Sequence, residues 1–204
     1  MEQSRLKIGI IGGTFDPIHI GHLIIAEDAR FRLKLDKVLF VPAGYPPHKP
    51  GKPISDARHR LAMVEAAITG NPSFEIFRFE IDNQKTSYTV YTLEALLGIY
   101  KDAELFFIMG TDSLAEITTW HDPDRLVRMC RIAAAERIGF DREKVLGMLP
   151  EDYHESIVFL DAPIVEISST EIRRRVVLGE SIRYLVPKGV EDYIVRNAIY
   201  GSGE

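Results

Sequence analysis

Cysteine is all but missing from this 204-residue sequence, and basic charge is in the minority. The single cysteine, Cys130, cannot close an internal disulfide, which excludes a disulfide-stapled secreted scaffold and suits a reducing, cytoplasmic setting. With 25 Lys and Arg against 30 Asp and Glu, the net charge of −5 argues against a broad nucleic-acid-binding surface. No apolar run is long enough to span a bilayer, and Met1-Glu2-Gln3-Ser4-Arg5 lacks the basic and apolar regions of a signal peptide. Repeats, low-complexity tracts and a dividing linker are lacking too. At 46% apolar and 27% charged the composition is that of a folded globular protein. The expectation is one cytoplasmic domain over 1–204, helical over about 168–200, acting without membrane or nucleic acid. The number of copies stays open, which leaves room for a homo-oligomer.

What is present alternates. Short apolar runs at 7–11, 37–42, 74–77, 104–110, 131–135 and 157–160, with a shorter one at 165–167, read as strands. Helical patterns fall at 21–33, 56–68, 89–100, 123–129, 141–149, 170–178 and 190–198. Strands separated by helices imply an α/β fold, a doubly wound parallel sheet with helices on both faces. Ligands in such sheets sit beyond the carboxyl ends of the strands, where strand order reverses. Three segments follow expected strand ends: 12–22, 43–53 and 110–120. The second is a Pro/Gly-rich loop, and a loop of that length in a compact domain is more often functional than not.

The dinucleotide fingerprint Gly-x-Gly-x-x-Gly is also missing, since Gly9 is followed two places on by Ile11 and Gly12 by Thr14. Instead Gly12-Gly13-Thr14-Phe15-Asp16-Pro17-Ile18-His19-Ile20-Gly21-His22 joins the first strand to a helix. Glycines there let backbone approach an anion, and free N–H groups at the helix start point at it. His19 and His22 share a face of the first turn, within reach of one phosphate. Packing or capping by the pair is the plainer alternative. A zinc pair would need a further ligand, which Asp16 could supply, but the glycine turn is better explained by phosphate.

Ile167-Ser168-Ser169-Thr170-Glu171-Ile172-Arg173 opens a second helix. Ser168 and Glu171 fit a capping box. Three hydroxyl residues exceed what one cap needs, and together with the helix start they form a second anion site, with Arg173 as a charged fork. Arg174 and Arg175 read as a solvated face.

These two stretches together resemble the adenylyltransferase branch of the nucleotidyltransferase superfamily, with its HxGH signature. Three more narrow the resemblance to bacterial nicotinate-nucleotide adenylyltransferases: Tyr45-Pro46-Pro47-His48-Lys49, Ser87-Tyr88-Thr89, and Gly110-Thr111-Asp112-Ser113-Leu114 through Thr119-Trp120. The resemblance implies a Rossmann-like sheet on which the phosphate of nicotinate mononucleotide attacks the α-phosphorus of ATP. Deamido-NAD forms and pyrophosphate leaves, with no covalent enzyme intermediate. Mg²⁺ would ride on the substrate phosphates, with no metal ligand from the protein. By motif position His19 and His22 would stabilise the α-phosphate and leaving group, and Lys49 would hold phosphate as a point charge. Gly12, Gly13, Thr14 and Phe15 would contact the nucleotides largely through backbone. Ser169, Thr170 and Arg173 would grip the β,γ-phosphates, and Arg137 occupies the family's ATP-side arginine position. Thr89, Trp120 and the backbone of His121 would receive the pyridine, and Asp112, counted with them on the mononucleotide side, would serve the pyridine ribose or that of the adenosine. Asp112 also reads as an N-cap for a short helix.

The chain departs from the family at Asn83-Gln84-Lys85-Thr86, where an Arg-x-x-Pro-like sequence is common, and at Ala135-Glu136-Arg137-Ile138-Gly139. A phosphopantetheine acceptor shares both phosphate motifs but lacks the Tyr-Pro-Pro-His-Lys loop and the Asp-Ser-Leu…Trp segment. A class I aminoacyl-tRNA synthetase would need a tRNA-binding module for which there is neither room nor charge. A non-catalytic nucleotide sensor would not need His19, His22, Lys49 and Arg173 together.

Overall fold

The computed structural model describes residues 5–45, 54–83 and 86–201. Six strands form one all-parallel sheet: β1 (Lys7–Gly13), β2 (Lys37–Pro42), β3 (Phe74–Ile76), β4 (Glu104–Gly110), β5 (Arg131–Ala135) and β6 (Ile157–Leu160). Their order is β3-β2-β1-β4-β5-β6. The chain therefore winds outward one way from β1 and the other way from β4, which opens a crevice beyond their carboxyl ends. The helices are α1 (Ile20–Leu33), α2 (Ala57–Ile68), α3 (Phe79–Asp82), α4 (Thr89–Ile99), α5 (Thr111–Ala115), α6 (Pro123–Met129), α7 (Arg142–Leu146), α8 (Ser169–Val177) and α9 (Lys188–Arg196).

Strand side chains alternate between two cores, so both faces of the sheet are covered and the strands read as unbroken apolar runs. Val38, Phe40, Phe106, Ile108, Ala133 and Ala135 face one core, with Ile25 of α1, Met63 of α2, Ile172 of α8 and Ile194 of α9. Ile8, Ile10, Leu39, Val41, Leu105 and Phe107 face the other, with Leu93 of α4, Leu114 of α5, Leu126 of α6 and Val145 of α7. Each such burial contributes about 1.5–3 kcal/mol relative to exposure, and together they hold the crevice walls rigid.

Three expectations change. Segment 165–167 is not a strand: it crosses from β6 to α8, and the Val165 carbonyl accepts from Arg137 Nη1 (3.1 Å) in place of a ladder bond. The glycine turn is not made by its glycines, because Gly12 and Gly13 extend β1 and pair with Val41 and Pro42. The left-handed residue of the turn is Phe15, at φ 50°. Its ring fills the core below, and a Cβ on Gly13 would come within 2.9 Å of it, so glycine is required there for close approach. Finally, α5 is capped by Gly110, with Asp112 inside its first turn.

Loops on the β1–β2 side are gathered by Arg60 of α2, which is 1% exposed. Its guanidinium donates to the carbonyls of Thr14 (2.8 Å), Ser55 (3.0 Å) and Gly44 (3.2 Å).

Candidate active site

The crevice begins where β1 ends. After the Phe15 turn, His19 takes an extended backbone as N-cap of α1 and is 3% exposed. The rings of His19 and His22 stack, with centroids 3.7 Å apart and planes at 23°. The His19 backbone N–H donates to Nδ1 of His22 (3.2 Å), so neutral His22 carries its proton on Nε2. The Phe15 ring meets His22 edge-on at 5.1 Å and braces that orientation. Nδ1 of His19 is buried and meets no partner among the described residues. Burial, aided by the Arg137 guanidinium, pushes His19 down to about 4. His22 is held well below 6.5 by burial first, then by His19 and Arg137. At neutral pH the pair is a set of uncharged N–H donors.

Arg137 closes the opposite wall. Its backbone N–H donates to buried Thr111 Oγ1 (2.9 Å), its Nη1 is fixed on Val165, and its buried Nε has no partner among the described residues. The side chain lies over Gly110, where a Cβ would stand 3.2 Å from Arg137 Cγ and Nε.

The second motif is tied directly to the first. Ser168 caps α8 by accepting from the Glu171 N–H (3.1 Å), but the Glu171 carboxylate turns to Arg174 and Arg175, so only half of the capping box forms. The Ser169 hydroxyl donates to the Pro17 carbonyl (2.9 Å). Arg173 donates to the Asp16 carbonyl (2.7 Å) and to Thr170 Oγ1 (3.2 Å). The Asp16 carboxylate accepts from the Tyr200 hydroxyl (2.7 Å) and the Ser55 N–H (3.3 Å), so it braces the turn and is not aimed at the histidines as a metal ligand would be.

On the other side, a cavity of about 160 Å³ is lined by Gly13, Thr14, Thr89, Trp120 and His121. Trp120 follows a 3-10 turn, is half-buried and meets Phe107 edge-on at 6.0 Å. The exposed His121 ring stacks on Tyr88 (4.2 Å) and shares a hydrogen bond with the Tyr91 hydroxyl (3.1 Å). A second cavity of about 160 Å³ is bordered by Gly12, His22, Gly110, Asp112, Trp120 and Arg137. A third, of about 490 Å³, extends from Asp112 and Arg137 to Ser168 and Glu171 at the start of α8. Because neighbours share lining residues, the three form one row across the carboxyl ends of the sheet.

The model of cytidylyltransferase-like proteins matches residues 10–175. Curated relatives carry the name "Probable nicotinate-nucleotide adenylyltransferase". One from Thermomicrobium roseum is 44% identical over 97% of this chain and 93% of its own length. One from Moorella thermoacetica is 45% identical over 95% and 91%. The chain belongs to the nicotinate-nucleotide adenylyltransferase family, within the cytidylyltransferase-like proteins. Among solved structures, a Plasmodium falciparum nicotinic acid mononucleotide adenylyltransferase complexed with NaAD superposes with a TM-score of 0.78. It covers 96% of this chain and 98% of that one at 21% identity, a likeness of fold.

The row brings together His22, Gly12, Gly13, Thr14, Asp112, Arg137, Thr89, Trp120 and His121, with buried His19 stacked against His22. Phe15 lies beneath it as packing. Ser169, Thr170 and Arg173 stand at its α8 end, two of them engaged with the Asp16–Pro17 turn. Lys49, with the rest of 46–53, falls outside the described residues, as do Gln84 and Lys85. Sequence reasoning missed Arg60, Glu80, Tyr91 and Tyr200. Only Arg60 had a signal: it shares the buried stripe of α2 with Met63 and Val64, at i+3 and i+4.

The neutral histidines imply a pH dependence of stability. Unfolded histidines take up protons near 6.5, whereas folded His19 resists until about 4. Acidification across that window favours the unfolded chain, so stability present above pH 6.5 is lost as pH falls toward 4. The urea midpoint is expected to drop between pH 7 and pH 5, and to drop less in His19→Asn. An equal drop in both would place the sensitivity elsewhere.

Proposed function

We propose that this chain transfers the adenylyl group of ATP to nicotinate mononucleotide, giving deamido-NAD and pyrophosphate, and that it works as a single domain in the cytoplasm. The observation that carries the reading is the row itself. A pocket with an aromatic face and a hydroxyl adjoins two stacked neutral imidazoles, which adjoin the arginine-bearing start of α8. Among the described residues no helix is long and apolar enough to cross a membrane, and the Cys130 thiol is free and buried.

The acceptor phosphate, held from the Thr89–Trp120 side, attacks the α-phosphorus in line as the bond to the β-phosphate oxygen breaks. No protein nucleophile is required, so catalysis is positioning and charge stabilisation. His22 offers Nε2–H to the α-phosphate, and His19 adds a second ring nitrogen. Negative charge building on the phosphates raises the proton affinity of both rings and strengthens those bonds in the transition state. Arg173, Thr170 and the free N–H groups of α8 take the departing pyrophosphate, with Ser169 contributing backbone because its hydroxyl is engaged. Lys49 adds a positive charge, a role that rests on its motif. Arg137 flanks the adenosine, and Asp112 serves a ribose, that of the adenosine or of the mononucleotide. Because the His121 ring is engaged by two tyrosines, its backbone amide is the donor for the nicotinate carboxylate.

Among the described residues no three of His, Cys, Asp and Glu converge as a metal site. A magnesium ion carried by the substrate fits this donor set, since a hard cation prefers phosphate oxygens to imidazole. Such an ion would neutralise phosphate charge, while positioning and donation fall to the residues above.

Mixing enzyme with ATP and nicotinate mononucleotide should release pyrophosphate, and phosphopantetheine in place of the mononucleotide should not. His19→Ala and His22→Ala should each lower turnover by about 10²-fold or more, the usual scale for one lost preorganised donor. Normal turnover in a well-folded variant would sink the mechanism. Trp120→Ala should raise KM for the mononucleotide about tenfold, from ~1–2 kcal/mol of lost ring contact, and leave KM for ATP unchanged. A parallel rise in both would make Trp120 a packing residue.

Substrate choice follows from the donors. Thr89 and the His121 amide match the acceptors of an acid, whereas the NH₂ of nicotinamide would oppose donor to donor. The acid should exceed the amide by at least ~10²-fold in kcat/KM. Comparable rates with both would mean these donors point elsewhere.

A further inference from the structure

The segment that opens α4 carries three aliphatic hydroxyls, Ser87, Thr89 and Thr92, and of these three only that of Thr89 makes no hydrogen bond among the described residues. The other two converge on a carboxylate that no part of the reaction uses. Glu80, in α3, accepts from Thr92 Oγ1 at 2.6 Å, and the Ser87 hydroxyl bonds to the same carboxylate. Ser87 Oγ in turn accepts the backbone N–H groups of Gly44 (3.0 Å) and Tyr45 (3.2 Å), and the Ser87 N–H returns to the Tyr45 carbonyl (3.1 Å). The Glu80 backbone closes the cluster. Its carbonyl oxygen stands 2.1 Å from where a Cβ on Gly44 would be, so only glycine fits. One side chain thereby joins α3, the start of α4 and the exit of β2, and it borders the cavity that holds Thr89, Trp120 and His121.

We infer that Glu80 is a positioning residue for acid recognition: it fixes Ser87 and Thr92 on either side of Thr89 and so presents the Thr89 hydroxyl to the carboxylate of the acceptor. The inference rests on the nicotinate reading of that pocket. Ser87 Oγ already accepts two N–H groups, so its own proton needs an acceptor, and Glu80 is that acceptor. Burial raises the Glu80 carboxyl, while the two hydroxyl donors oppose that rise by favouring its anion. A glutamine here has one acceptor oxygen in place of two: its NH₂ faces either Ser87, which has no acceptor capacity left, or Thr92, whose proton must then turn elsewhere. The segment must then shift. A displacement well short of unfolding is enough to weaken an oriented contact.

The test compares wild type with Glu80→Gln, Thr92→Val and Thr92→Ser, measuring kcat, both KM values, the acid-to-amide ratio and Tm. Glu80→Gln and Thr92→Val should raise KM for nicotinate mononucleotide about five- to tenfold, the scale of one hydrogen bond. The acid-to-amide ratio should fall by a similar factor, with kcat and KM for ATP within about twofold. Thr92→Ser keeps the hydroxyl and should behave as wild type. Should Glu80→Gln fail to fold, the near-isosteric Thr92→Val carries the same readouts. Unchanged kinetics in the folded variants would overturn the inference. So would a uniform rise in both KM values with lowered Tm and no recovery in Thr92→Ser, which marks a structural brace. If wild type itself releases no pyrophosphate with nicotinate mononucleotide, the proposed function falls. Activity in wild type with unaltered selectivity in the variants removes only the role of Glu80.

Discussion

A buried guanidinium holding three carbonyls is the constraint on which this site depends. Arg60 reaches Thr14, Gly44 and Ser55, one carbonyl from each of three segments. Burial opposes its charge, and Asp16 is the first of the acidic groups that offset this. Removing an ion from water costs several kcal/mol unless its donors are matched. The guanidinium fork is planar and rigid, so few arrangements of the three loops can match them. Its effect is therefore on which conformation the crevice rim adopts, as much as on how stable the fold is. The same Asp16 fastens the α1 turn to Ser55 and Tyr200, and its carbonyl fastens Arg173.

Charge within the site is arranged against the grain of the whole molecule. The chain is acidic overall, yet Arg60, Arg137 and Arg173 surround the glycine-rich turn, with the two histidines kept neutral between them. Neutral donors are a sensible choice beside arginines. Additional fixed cations would repel one another, whereas imidazoles can gain positive character when phosphates arrive and not before. In the proposed reading specificity lies apart from this, in the pocket lined by Thr89, Trp120 and His121.

How much was legible follows from how local each signal is. The strands were legible because both faces are covered, which makes runs such as Val38–Val41 and Leu105–Met109 continuously apolar. Segment 165–167 has the same composition, but its carbonyl is taken by Arg137, and no local pattern encodes that partner. The glycine-rich motif lies at the crevice, but its turn is built otherwise than the motif suggested: Gly12 and Gly13 are strand residues, and Phe15 makes the turn. Asp112 looked like a cap because it precedes a helix, but Gly110 already has the extended backbone that a cap needs. Glu80 and Tyr200 were invisible for one reason. Each is engaged by a partner in another element, Thr92 and Ser87 for one and Asp16 for the other.

The start of α8 shows why a capping reading and a ligand reading need not compete. Ser168 satisfies one N–H of the first turn, and a helix has four without intrahelical partners. The Ser169 hydroxyl donates its proton to the Pro17 carbonyl, 152 residues away. The cap thus sets the helix axis, the Pro17 bond sets its distance from the histidine turn, and the remaining donors stay available. Arg173 repeats the logic: with Nη1 on the Asp16 carbonyl, the guanidinium plane is fixed before any anion arrives. Hydrogen bonds made within the free protein order the remaining donors of this helix start, so that in the proposed reading an arriving phosphate costs little further side-chain entropy.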